Sequence, residues 1–142
     1  MNKKHLFFNL NIIIAGLIAL AIAAQTGLYF DNKFHQNELT SLVSTITHFV
    51  IYLLLNSVFH YFTNKNQYKG IDKNLFIDLG KIYGTQIPVF GVYYGVYFGV
   101  NDLLLHSMST VVISNISAWF VGTLVSRIIH TYLAHKAGVF DE

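Results

Sequence analysis

Four apolar stretches, at about 6–30, 41–62, 76–100 and 106–133, take up most of this 142-residue chain. Each reaches or exceeds the roughly 20 residues that a helix needs to cross a hydrocarbon core. Lipid offers a backbone no water to bond to, so spanning segments of this kind must be helical. The expected fold is therefore all-α: a single membrane domain over 1–142, a polytopic four-transmembrane-helix bundle. Charged residues are only 11% of the chain against 54% hydrophobic, too few to cover a soluble globule. The connections read as "DNKFHQNELT", "TNKNQYKGIDKNL" and "NDLLL", which leave no room for an extramembrane domain. Any function must then lie inside the bundle.

The N-terminal "NKKH", the apolar run after it and "AIAAQ" imitate a secretory signal with a small-residue site at Ala21 and Ala23. The run continues to Phe30 and is interrupted early by Asn9 and Asn11, which better suits an uncleaved first span. Basic residues set the orientation. Lys3, Lys4, Lys65, Lys69, Lys73, Arg127 and Lys136 fall on one side and Lys33 alone on the other. Both termini are expected in the cytoplasm, in a multi-pass protein of the inner (plasma) membrane.

Several chemistries are disfavoured. A net charge of +2, with scattered basic residues, does not suit nucleic acid. Without cysteine there are no disulfides, thiolate zinc sites or iron–sulfur clusters. The seven histidines show no helical metal pair with a carboxylate nearby, so no metal is expected. No serine sits in a nucleophile turn, and neither a cofactor nor an enzyme is implied.

The second span places Ser41, Thr45, His48, Tyr52 and Asn56 on one helical face. Such a face makes either interhelical hydrogen bonds or a cavity wall. In the third span, Asp78, Lys81 and Thr85 project to one side with Gln86 at its margin. Gly80, Gly84, Gly91, Gly95 and Gly99 form a stripe on an adjacent side. The stripe reads as a close helix contact, and a homodimer is expected from it. Asp78 and Lys81, three apart, either neutralise each other or carry a function. Pro88 lacks an amide hydrogen, so the Gly84 carbonyl loses its helical partner in mid-span. Gln86, Thr85 and that carbonyl would form one wall of a small polar site, with Pro88 as a pivot. His48, Tyr52 and Asn56, with Asn115 of the fourth span, would form the other. Such a site has no fixed charge and suits a zwitterion.

Spans two and four also echo each other at an offset of 70, with Ser44 on Ser114, Ile46 on Ile116, Leu54 on Leu124 and His60 on His130. A parallel repeat of two hairpins would produce that pattern.

The stretch "KNLFIDLGKIYGTQIPVF" resembles the third span of the bacterial L-alanine exporter family, small inner-membrane proteins with four spans. The likeness rests on Lys73, Asn74, Leu75, Asp78, Gln86, Pro88, Val89 and Phe90, and on Ile113 to Asn115 followed by Gly122. It implies secondary export of a small amino acid such as L-alanine, driven by the proton gradient. Asp78, the only acid inside an expected span, would then carry the proton beside Lys81. Two alternatives stand beside it. One is a non-transporting accessory subunit, in which the small and polar faces are helix glue. The other is a lipid-linked sugar flippase-like protein, using Lys65, Lys69 and Lys73 to meet a phosphate.

Overall fold

The computed structural model describes residues 3–107 and 109–136, with side chains from residue 10 onward except at 85, 130, 131 and 133–136. Within these residues the chain is helical throughout, with no strand. Helix α1 covers Lys3–Phe34, α2 Asn37–Asn64, α3 Lys73–His106 and α4 Val111–Lys136, with one 3-10 turn at Lys65–Gln67. The first connection shrinks to His35 and Gln36, and His35 takes a left-handed conformation (φ 51°) to reverse the chain. The expected loop over 101–105 does not form. Asn101 and Leu105 are buried against the bundle, which extends α3 by a turn and moves the reversal to the residues before Val111.

Each helix packs on the helices before and after it in sequence, and α4 closes the ring by returning to α1. The pairs α1–α2 and α3–α4 share the most extensive contacts. On α1 the inward face is Ala15, Gly16, Ala19, Ala23, Ala24 and Gly27, with Leu20 the one large side chain among the buried residues described, so α2 and α4 approach closely. At Gly27 an added Cβ would overlap the Ser44 hydroxyl and lie 2.9 Å from Val111 Cγ1. At Gly122 it would lie 3.3 Å from the Tyr93 carbonyl oxygen.

The bundle is polar inside and aliphatic outside. His48, Asn56, Asn101, Asn115 and a set of serines and threonines are buried, while Leu17, Ile46, Leu54, Ile116, Leu124 and Ile128 are exposed. That distribution suits a hydrocarbon surround. Three helical stretches, Leu10–Phe34, Asn37–Gln67 and Val111–Ile129, are long and apolar enough to cross a membrane. Helix α3 is longer than any of them, at 34 residues or about 51 Å, but it is richer in glycine, tyrosine and charge. Its N-terminus is capped by Asp72, whose carboxylate accepts from the Leu75 amide at 3.1 Å. That bond holds the Asp72 carboxyl below its ordinary range.

The echo between spans two and four is matched in burial. Ser41, Ser44, Thr45, His48, Tyr52 and Asn56 are buried, and so are Val111, Ser114, Asn115, Ala118, Gly122 and Ser126, each 70 further on. His130 lies outside the described side chains.

Candidate functional site

The whole polar face expected on α2 points inward: Ser41, Thr45, His48, Tyr52 and Asn56 are all buried. What it meets is a face of α3 that the sequence reading passed over. Tyr93, Tyr97 and Asn101 repeat at four-residue intervals and turn to the core, with Tyr94 and Phe90 beside them. His48 lies at the centre. Its ring centroid is 5.0 Å from that of Tyr97, 5.8 Å from those of Tyr93 and Tyr94, and 6.3 Å from that of Tyr52. Its Nδ1 shares a hydrogen bond with the Tyr94 hydroxyl at 3.2 Å. The buried Nε2 makes no hydrogen bond of good geometry, although the Gly16 carbonyl is near.

Beside this cluster a cavity of about 240 Å³ reaches all four helices. Ile12, Ile13 and Gly16 of α1 form one wall, His48 and Tyr52 of α2 a second, and Gln86, Val89, Phe90, Tyr93 and Tyr94 of α3 a third. Helix α4 adds Trp119, Thr123, Ser126 and Arg127. Gly16 leaves room for the indole: a Cβ there would stand 3.3 Å from Trp119 Nε1. Two polar groups line the space without hydrogen bonds of good geometry to the described residues. One is the Tyr93 hydroxyl, close to Thr123. The other is Arg127, an exposed residue whose side chain lines the cavity and has no ion pair among the described residues.

Of the residues expected to form the site, His48, Tyr52 and Gln86 come together on this cavity. The others are placed elsewhere. Asn56 donates to the Tyr83 hydroxyl at 3.4 Å, in a small network with Ser57 and the Leu53 carbonyl. Asn115 accepts from the Tyr97 hydroxyl at 2.6 Å and donates to the Val111 carbonyl, about a turn from Trp119 and away from the cavity. Pro88 and Gly84 are exposed, α3 runs helical through the proline, and the space beside Gly84 is open. Thr85 lies outside the described side chains. The glycine stripe also faces outward: among the described residues no other helix lies within 4 Å of where a Cβ would stand at Gly80, Gly84, Gly91, Gly95 or Gly99. Its expected helix contact is not made within the chain.

Asp78 and Lys81 do not pair. Asp78 turns to the loop, where it accepts from the Tyr68 hydroxyl at 3.1 Å, and Tyr68 in turn stands 3.0 Å from His60 Nε2. Lys81 is exposed. Burial and the adjoining Asp78 carboxylate push the Tyr68 phenol above its ordinary range, so it remains a donor at neutral pH. The exposed Arg127 also lines the cavity, where the sequence reading placed no fixed charge. Sequence reading had counted it only as an orientation signal. Its position eight residues after Trp119, about 12 Å along α4, was the available clue that both share a face.

Comparison of the chain with protein-family models, curated proteins and solved structures found no match.

Proposed function

We propose that the protein is a small secondary exporter of an amino acid such as L-alanine, with four spans, both termini in the cytoplasm and its site in the cavity at Trp119. The observation that carries this reading is Arg127, an unpaired guanidinium on the wall of an otherwise uncharged, largely aromatic cavity. An exposed arginine at the edge of a cavity in a membrane bundle attracts an anion, and its planar fork matches a carboxylate bidentately. The faces of Tyr52 and Trp119 offer the complementary interaction for an ammonium group. A zwitterion brings both charges, leaves no net charge in the bundle, and is held without a salt bridge on its cationic side, which favours release.

The coupling proton belongs to Asp78, through the chain Asp78–Tyr68–His60 near the cytoplasmic ends of α2 and α3. Gln86 contributes an amide to the same cavity. The outward glycines of α3 fit a second copy of the chain, so the working unit is a homodimer in the inner membrane. They also give the accessory-subunit reading its one favourable observation, since an open small-residue face suits any partner helix.

Cells loaded with an alanine dipeptide and expressing the protein should release free alanine faster than a vector control. Asp78→Asn should remove the response to an imposed pH gradient while preserving membrane insertion. Release equal to the control would leave the accessory reading as the better one. An unaltered pH response in Asp78→Asn would place the proton elsewhere.

A further inference from the structure

A second polar region lies at the other end of the bundle, near the two short reversals, and serves no part of the export reading. Thr40, Ser44, Asn101 and Ser114 are fully buried, from α2, α3 and α4. Thr40 Oγ1, Ser44 Oγ, Ser114 Oγ and both amide atoms of Asn101 have no hydrogen-bond partner among the described residues. Antiparallel packing brings these residues to within about a turn of one another along the bundle. Ser41 reaches Asp102 across the α2–α3 contact, with Oγ and Oδ1 3.5 Å apart. Gly122 abuts Tyr93 across α3–α4, which in register sets Ser114 opposite Asn101. From α1, Gly27 touches both Ser44 and Asn115.

One buried hydroxyl without a partner is an ordinary lapse, but five unpaired atoms in one layer imply an occupant that satisfies them. The chemistry narrows the choice. Four of the five are oxygens, the hard ligands that alkali and alkaline-earth ions take. This end of the bundle holds Asp31, Glu38 and Asp102 against Lys33 as its one lysine or arginine, so its field favours a cation. Asp102 adjoins the layer, next in sequence to Asn101 and facing Ser41 and His106. A divalent ion would require several carboxylates at the layer, and only this one borders it.

We propose that this layer is a sodium site, with Thr40 Oγ1, Ser44 Oγ, Ser114 Oγ and Asn101 Oδ1 as ligands and Asp102 as the nearby charge. A water completing the ion's shell would accept from Asn101 Nδ2. The ion ties α2, α3 and α4 together at the end where α1 packs tightest. Through the Tyr97–Asn115 hydrogen bond and the Tyr97–His48 ring contact it borders the aromatic cluster. The site stands whether or not the cavity exports an amino acid.

The test is the melting temperature of the full-length protein in detergent, in NaCl, KCl or choline chloride at equal ionic strength. The expected result is a saturable rise with Na+ that K+ and choline do not produce. Asn101→Leu, which replaces an unpaired amide by an apolar group of similar size, should abolish the sodium response while melting no lower than the parent in choline. If that variant fails to fold, Ser44→Ala and Ser114→Ala should each weaken the response. Equal melting in all three salts would show that water alone fills the layer and would overturn the proposal. So would an equal rise in KCl, or a sodium response unchanged in the serine variants.

Discussion

Helices α1 and α3 each carry a stripe of small residues, and the bundle treats them in opposite ways. On α1, Ala15, Gly16, Ala19, Ala23, Ala24 and Gly27 are buried against α2 and α4. On α3, the more regular stripe of five glycines faces away from every other helix of the chain. Small-residue periodicity thus marks a surface suited to close approach without saying what approaches. What decides is the opposite face of each helix. The far side of α1 is Leu17, Ile18 and Ile22, which lipid accepts, whereas that of α3 is Tyr93, Tyr97 and Asn101, whose polar atoms must turn inward.

The contrast is most easily broken at its tightest point. Gly27→Leu should cost about 3 kcal/mol or more, because the new side chain has no volume to enter between Ser44 and Val111. A melting temperature near the parent's would mean that α1 does not pack as described. On the other stripe, Gly91→Leu and Gly95→Leu together should leave the fold of the single chain unchanged and, on the proposed dimer, convert it to monomer, read by mass measurement in detergent. A dimer that survives would assign the stripe to lipid. The smallest effect belongs to the end of α3. The Asp72 carboxyl is held below its usual 3.8, so the stability it adds is present above that value and is lost as pH falls through the lowered one. Asp72→Ala should therefore flatten the acid limb of the melting profile and alter little at neutral pH.

The helices and the inward face of α2 were legible because hydrophobic length and a polar stripe are local signals. Ser41, Thr45, His48, Tyr52 and Asn56 share a face by spacing alone, and no partner is needed to see it. The α3 reading went astray at its tyrosines. Tyrosine passes as apolar in a span, so the repeat at 93, 97 and 101 was hidden, and the charges at 78 and 81 drew attention instead. With α3 about 51 Å long, those two sit in its first turns, beyond what a hydrocarbon core of about 30 Å requires. The cavity was only partly legible for a different reason. Gln86 and His48 stand out as polar groups in apolar spans, but Trp119, Thr123 and Arg127 join them only through the antiparallel register of α3 and α4, which tertiary packing sets.

Trp119 is the sole tryptophan and lines the cavity, so its emission reports directly on an occupant. Titration of the purified protein with L-alanine, and with larger L-amino acids, should give a saturable change in that emission. In Arg127→Gln the apparent affinity should fall about tenfold or more, the loss expected when a charged hydrogen-bond partner of a carboxylate is removed. No saturable change with any amino acid, or equal affinity in parent and Arg127→Gln, would contradict the assignment of the cavity.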